Sequence, residues 1–190
     1  MKTLILPLLA TVGFAVGGRA QVLSPAPTNG VNIVQNGTFQ ALWDYWQGNA
    51  PAMIYNPHAP NGVFAAVNDI YQFIPTIPGQ SYLISFYAAA DLYHGPSVSI
   101  GLYLNNQQAT VFTTPPYAYD NGVHRYDQMH WQQFTFTFTA SSWPTRVEFI
   151  DLNTYSFGLA DVSVIATGAP PTLICSTPLK LASASDTAIG

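Results

Sequence analysis

Aromatic side chains stand beside amides and carboxylates in three polar segments of the chain. These segments are Trp43–Gln47, Tyr93–Gly95 and Pro116–Asp127. A sugar is commonly bound by an aromatic ring that stacks on its pyranose face, while nearby amides and carboxylates bond its hydroxyl groups. Long connections of this composition often carry function. We therefore predict a polysaccharide-binding site whose residues are Trp46, Tyr93, Tyr117, Tyr119, Asp120, Tyr126 and Asp127.

Packing is the alternative interpretation of these rings, and the sequence leaves it open. Aromatic side chains of β proteins also fill the core or cover sheet edges. We expect Trp131 in the core, together with one of Trp43 and Trp46. Strand alternation also places Tyr87 and Tyr103 opposite the core phenylalanines, where a shallow binding surface could lie.

Catalytic motifs do not stand out in the sequence. It has no nucleophile elbow, catalytic serine motif or cofactor-binding loop. Asp120 and Asp127 would serve as a glycosidase pair only at a carboxyl separation that sequence spacing does not fix. His124 and His130 are six residues apart, without further ligands at a metal-site spacing. We therefore expect a binding protein without a cofactor, and not an enzyme.

The charge balance excludes nucleic acid as a partner. Beyond Ala20 the only basic residues are Arg125, Arg146 and Lys180, against nine acidic residues, which gives a formal charge of −6. Binding to phosphate backbones needs clustered Lys and Arg. Cys175 is the only cysteine, so no disulfide can form within the chain, and the fold must rely on its core.

The first twenty residues have the layout of a secretory signal peptide. Met1-Lys2 is a basic start, Leu4–Val16 is mostly apolar, and Gly18-Arg19-Ala20 supplies small residues before the cleavage point. The apolar run is shorter than the roughly 20 residues that span a bilayer, and no other segment is predicted to cross a membrane. We therefore predict a secreted, extracellular protein in which a linker, residues 21–30, follows the signal peptide.

Period-two alternation predicts an all-β domain over residues 31–167, followed by a loose tail over residues 168–190. The clearest strand is Gln132–Thr139, where three phenylalanines point one way and the intervening threonines the other. The other predicted strands are Val31–Val34, Ile70–Ile74, Ser81–Ala90, Val98–Leu104, Thr145–Ile150 and Leu159–Ala166. Many short antiparallel strands without a helical pattern are typical of a β-sandwich.

Four motifs occur along this domain in a fixed order. They are Val31–Phe39 with the tryptophans that follow it, Ile70–Tyr82, Trp131–Ala140 and Phe157–Val164. Together they resemble the galactose-binding-domain-like jelly rolls, a superfamily that includes xylan- and glucan-binding modules and cell-wall-binding plant domains. The resemblance implies an antiparallel jelly-roll sandwich. It does not specify a ligand, because this fold carries many functions.

The resemblance also implies a structural calcium ion in many members, between the N-terminal segment and the last strand. In this sequence Gln40 stands where the family has a glutamate, and Ala160 replaces the first aspartate of the final motif. Asp161 alone matches, which leaves a weakened calcium site because Ca²⁺ prefers six to eight oxygen ligands that include carboxylates.

The sequence therefore predicts a secreted, non-catalytic carbohydrate-binding module that recognises a polysaccharide by aromatic stacking and hydrogen bonding. The alternative is an extracellular structural or adhesive scaffold domain that binds no glycan. Retention on insoluble polysaccharide distinguishes the two.

Overall fold

The chain forms a two-layered β-sandwich, which a computed structural model describes for residues 30–49, 52–90, 97–116, 129–153, 156–169 and 171. The predicted signal peptide lies outside these residues. Within them, no helix is long and apolar enough to cross a membrane. The strands are β1 (Gln47–Asn49), β2 (Ala52–Tyr55), β3 (Val63–Val67), β4 (Asp69–Ile74), β5 (Ser81–Ala90), β6 (Ser99–Leu104), β7 (Gln107–Thr113), β8 (Gln132–Thr139), β9 (Thr145–Asp151) and β10 (Phe157–Thr167).

Two antiparallel sheets of five strands each make up the sandwich. Sheet I has the order β1-β4-β9-β6-β7, and sheet II has the order β2-β3-β10-β5-β8. Successive strands repeatedly change sheet, so many neighbouring strands within a sheet are far apart in the sequence. This architecture confirms the predicted all-β jelly-roll sandwich.

Alternating side chains explain why the two sheets pack face to face. In β5, Tyr82, Ile84 and Phe86 are buried, whereas the residues between them are half-buried on the opposite face. Phe86 contacts Phe149 of sheet I with a ring-centroid distance of 4.9 Å, which joins the two layers. Each fully buried apolar side chain of this size stabilises the fold by about 1.5–3 kcal/mol.

The predicted strand at Val31–Val34 is wrong. This segment makes only one isolated bridge, Asn32 with Ile165 of β10. The Asn32 side-chain oxygen instead accepts hydrogen bonds from the backbone N–H groups of Val34 and Val164, at 3.0 and 2.9 Å. A side chain thereby takes the place of part of a backbone ladder.

Four strands were missing from the sequence prediction, namely β1, β2, β3 and β7. β1 and β2 have only three and four residues. β3 is almost completely buried on both faces and therefore shows no alternation. β7 is a mostly exposed edge strand that begins with polar residues. Short, two-sided or polar strands leave little periodic signal.

A turn segment, residues 36–46, closes one lateral edge of the sandwich. The Asn36 side chain organises it by donating to the carbonyl oxygens of Leu42 and Asp44 at 2.8 and 3.2 Å and accepting from the Ala41 N–H at 3.0 Å. Phe39 and Trp46 from this segment fill the opening between the sheets, with their ring centroids 5.3 Å apart. The hydrogen bonds of the Asn36 side chain thus hold the turn that places Phe39 and Trp46 in the core.

Candidate functional site

A row of five polar and aromatic residues crosses the outer face of sheet I. The strand register pairs them as direct neighbours, one from each strand, in the order Gln47, Tyr71, Glu148, Tyr103 and Gln108. Adjacent strands lie about 4.8 Å apart, so the row extends roughly 19 Å perpendicular to the strands. We call it the cross-strand row.

Tyr103 owes its position to a neighbouring glycine. A Cβ atom at Gly101, two residues earlier on the same face, would lie 2.7 Å from the Cε2 atom of the Tyr103 ring. The ring therefore occupies the space that a side chain would otherwise fill. The Tyr103 hydroxyl donates to the Gln108 side-chain oxygen at 3.0 Å, which links the last two members of the row.

Glu148, at the centre of the row, is a buried carboxylate. The residue is 5% exposed, and both oxygens accept hydrogen bonds from the Arg146 guanidinium, one of them at 2.5 Å from Nη2. Burial raises the pKa of Glu148, the Arg146 interaction opposes that rise, and the nearby Asp69 carboxylate adds to it. The site therefore holds two acidic groups against one cation.

Arg146 also covers Tyr71. The guanidinium carbon lies 3.7 Å from the centroid of the Tyr71 ring, a cation–π contact. Phe73 meets the same ring edge-on, at a centroid distance of 5.9 Å. These contacts fix the orientation of Tyr71, which remains half-buried at the surface.

Asp69 supplies an unused acceptor next to the row. Its Oδ1 atom is buried, and no group in the described part of the chain donates a hydrogen bond to it. A buried carboxylate oxygen without a donor is costly. The Asp69 carboxylate lies close enough to Glu148 to interact with it, and this interaction helps to raise the pKa of Glu148.

Trp46, one of the predicted sugar-stacking residues, is the member of the pair Trp43 and Trp46 that lies in the core. It is only 6% exposed, its ring contacts Phe39 and Phe149, and its indole N–H donates to the Asn36 carbonyl at 3.1 Å. The ring cannot stack on a sugar without leaving the core. The other six predicted residues lie outside the described residues: Tyr93, Tyr117, Tyr119, Asp120, Tyr126 and Asp127.

The remaining aromatic expectations have mixed outcomes. Trp131 packs edge-on against Phe64 at 5.3 Å, but it is only partly buried and lies at Gly158 on the outer face of sheet II, so it is not in the core between the sheets. Tyr87 and Tyr103 both point away from the core, but Tyr87 lies on sheet II and Tyr103 on sheet I. They therefore cannot form one shared surface.

The sequence analysis did not identify most of the cross-strand row, although the charged residues of one predicted strand pointed to it. Glu148 is the only glutamate of the chain, and it lies in a predicted strand of a protein with 7% charged residues. Arg146 is two residues away and therefore on the same face. Two opposite charges sharing one face of a strand could have drawn attention to this sheet.

The residues around Asp161 do not fit a calcium ion. Gln40 is exposed, Ala160 is completely buried, and no cluster of three or more His, Cys, Asp or Glu side chains occurs in the described residues. Asp161 sits in the irregular stretch of β10 between Ala160 and Ser163, with φ of 51°. One carboxylate is too few for the oxygen-rich shell that calcium prefers.

Comparison by sequence and by structure gives different results. No protein-family model and no curated protein sequence matches the chain. Solved structures match in fold, and one is the tandem CBM22-1–CBM22-2 domain of Xyn10C from Paenibacillus barcinonensis. Its TM-score is 0.59 at 7% identity, with 80% of this chain and 49% of that chain covered.

Two further structures are single modules. A xylan-binding domain of carbohydrate-binding module family 22 has a TM-score of 0.54 at 13% identity, over 76% of this chain and 99% of that one. The C-terminal family 22 module of Xyn10B from Clostridium thermocellum has a TM-score of 0.52 at 13% identity, and the match covers 69% of this chain and 92% of that module. The chain therefore has a jelly-roll fold like that of carbohydrate-binding modules.

Proposed function

We propose that this protein is a secreted carbohydrate-binding module that binds a neutral polysaccharide on the outer face of sheet I. The observation that carries the proposal is the cross-strand row, in which two tyrosines alternate with a carboxylate and two terminal amides. Rings supply stacking surfaces, and amides and carboxylates bond hydroxyl groups. The module acts by binding and performs no catalytic step.

The charges of this face favour a neutral ligand over an acidic one. Arg146 is the only lysine or arginine within the described residues, and Glu148 already engages its guanidinium. Asp69 and Glu148 would repel a uronate. The exposed side-chain amides of Gln47 and Gln108 at the two ends of the row instead offer hydrogen bonds to neutral sugar hydroxyls.

The direction of the row suggests how a glycan chain lies. A row of roughly 19 Å, set by the spacing of five strands, is long enough for several consecutive sugar units. The chain would therefore cross the strands, with Tyr71 and Tyr103 beneath two of its rings. Xylan is the first polysaccharide to test, because structures with this fold include one described as xylan-binding.

A scaffold without glycan binding is the competing proposal, and one observation favours it. Arg146 covers one face of Tyr71 and satisfies both oxygens of Glu148. Such a network could serve stability alone. The scaffold proposal and the binding proposal differ in whether removal of the tyrosine rings changes retention on a polysaccharide.

The test combines a double variant with a matched control. Tyr71→Ala/Tyr103→Ala removes both rings of the cross-strand row, whereas Tyr87→Ala removes a half-buried ring from the outer face of sheet II. Retention on insoluble xylan, cellulose and chitin is measured, followed by calorimetry with oligosaccharides of the polysaccharide that is bound. At about 1 kcal/mol per ring, the double variant should bind roughly 30-fold more weakly.

The control should bind like the wild type, and all three proteins should show cooperative thermal melting. Binding by the double variant at wild-type affinity would contradict the proposal. Failure of the wild-type protein to be retained on any polysaccharide would favour the scaffold instead.

A further inference from the structure

An open cavity, separate from the cross-strand row, lies at the lateral edge of the sandwich. It has a volume of about 390 Å³ and opens between the turn segment and the edge strand β2. Small-molecule sites commonly have volumes of about 300–1,000 Å³. Phe39, Met53 and Val63 form apolar parts of its wall. We call it the edge groove.

Two large apolar side chains at the edge groove are exposed to solvent. Tyr55 is 82% exposed and Leu42 is 63% exposed. Neither side chain gains much burial from folding. Their exposure therefore has no explanation in the stability of the sandwich.

The backbone of Leu42 carries an additional cost. Its φ is 55°, a left-handed conformation that is unfavourable for a bulky non-glycine residue. The Asn36 side chain helps to hold this conformation by donating to the Leu42 carbonyl oxygen at 2.8 Å. Asn36, Phe39 and Tyr45 of the turn segment also have positive φ, so this conformation belongs to the whole segment, and the exposed apolar side chain of Leu42 is the feature particular to the groove.

The polar groups of the edge groove are neutral amides. Gln40 and Asn61 line it, and no hydrogen bond joins either side chain to another of the residues that the structure describes. An amide offers both donors and an acceptor, which suits the hydroxyl groups of a sugar. Among the residues that the structure describes, those that line the groove include no lysine, arginine, aspartate or glutamate, so its described wall is neutral.

We propose that the edge groove is a second sugar-binding site, which takes a neutral saccharide unit with its ring against Tyr55 and its hydroxyls bonded by Gln40 and Asn61. This site is built from sheet II and the turn segment, whereas the cross-strand row lies on sheet I. It therefore goes beyond the proposed function and does not depend on it. If both sites bind one polysaccharide, they would increase its retention by bivalency.

A methionine methyl group reports on the groove alone. The sequence contains three methionines, of which Met53 lines the groove and Met129 is buried at Gly158 on the outer face of sheet II. The full chain is labelled with ¹³C at methionine methyl groups and titrated with xylotriose, cellotriose, chitotriose and trigalacturonic acid. The same titrations are made with Tyr55→Ala, with Tyr87→Ala and with the double variant of the cross-strand row.

We expect at least one neutral trisaccharide to shift the Met53 methyl resonance saturably while Met129 stays unchanged. Tyr55→Ala should weaken this binding about fivefold, the effect of roughly 1 kcal/mol for one stacked ring, without lowering stability. Tyr87→Ala and the double variant should leave it unchanged, which separates this site from the sheet I face. Gln40→Ala and Asn61→Ala should each weaken it as well.

Three results would overturn the inference. The first is the absence of a Met53 shift with every neutral trisaccharide at millimolar concentration. The second is an unchanged affinity, read from the midpoint of the titration, in Tyr55→Ala, or a higher affinity for trigalacturonic acid than for every neutral trisaccharide. The third is a Met53 shift that follows protein concentration without any sugar, because the occupant would then be a second copy of the chain.

Discussion

The two outer faces of the sandwich have the same backbone geometry but different chemistry. Sheet I carries the cross-strand row of amides, tyrosines and a carboxylate. At the middle of sheet II, the corresponding outward positions hold small hydroxyl residues, since Ser85 lies between Thr135 of β8 and Ser163 of β10. Near its end, Met129 and Trp131 cover sheet II at Gly158.

This difference shows that sequence alternation alone does not make a binding surface. Both sheets alternate apolar and polar residues, because both pack on one core. In the described part of the chain, sheet I places ionisable side chains beside its outward tyrosines, at the cost of burying the Glu148 carboxylate. A buried ion pair contributes little net stability compared with apolar packing. The arrangement is consistent with the recognition role that we propose for this face.

Substitution of a residue in the core between the two sheets should have the largest effect on stability. Phe149 is completely buried and contacts Phe86 across the sandwich, so Phe149→Ala should lower the free energy of unfolding by about 3–5 kcal/mol. Thr137→Ala, on the exposed face of sheet II, should change it by less than about 0.5 kcal/mol. Phe136 is half-buried in an edge strand, and Phe136→Ala should fall between these values. Urea unfolding measures all three, and equal losses would mean that the faces are assigned wrongly.

A smaller effect is expected when the cross-strand row is disturbed without removing a ring. Gly101→Ala would place a methyl group against the Tyr103 ring and displace it. We expect binding to xylan, or to whichever polysaccharide is retained, to weaken about fivefold, as for loss of one stacked ring. Tyr103→Phe keeps the ring and loses only its bond to Gln108, so it should bind nearly as well as wild type. Unchanged binding of Gly101→Ala would remove Tyr103 from the site.

The buried carboxylate predicts a modest pH dependence of stability. Because the pKa of Glu148 is raised in the folded protein above its ordinary value of 4.5, the folded state holds this proton more tightly than the unfolded state does. This contribution is fully present below pH 4.5 and is lost as the pH rises through the folded-state pKa. Glu148→Gln mimics the protonated form at every pH, so its stability relative to wild type should improve as the pH rises from 4.5. Urea unfolding of both proteins between pH 4 and pH 7.5 tests the sign, and a relative stability that falls with pH would contradict it.

The smallest effect is expected from removal of calcium. The surroundings of Asp161 lack the carboxylates for a calcium ion, so EDTA should not measurably change the melting temperature. Addition of calcium after dialysis is the control and should have no effect either. A large fall with EDTA would mean that other oxygen ligands complete a site around Asp161.

The accuracy of the sequence prediction followed the length and exposure of each strand. β5 and β8 were predicted with the bounds that the structure has, because a half-buried strand repeats its burial pattern every two residues. β3, buried on both faces, and the short edge strands β1 and β2 leave no such pattern. The motifs of the jelly-roll resemblance compensated for these gaps, since the resemblance fixed the architecture without every strand.

The candidate site was harder to predict, because most aromatic residues that stand beside polar ones lie in predicted loops, whereas the cross-strand row lies on strands. Trp46 looked like a surface ring beside polar residues, but its burial depends on Phe39 and Phe149 from distant parts of the chain. Tyr71 and Glu148 lie in predicted strands, yet nothing local indicates that they are neighbours. Six loop residues of the original prediction lie outside the described residues, and their role in glycan binding stays a prediction.

The sequence by itself determined the fold class and which side chains point away from the core. The period of two is a local property of an extended backbone, and any strand carries it in its own residues. Only the tertiary structure decided that β4, β9 and β6 lie side by side, and that Tyr71, Glu148 and Tyr103 therefore form one row. Strand order and register depend on pairing between segments far apart in the chain, and a shift of one residue would turn the whole row towards the core.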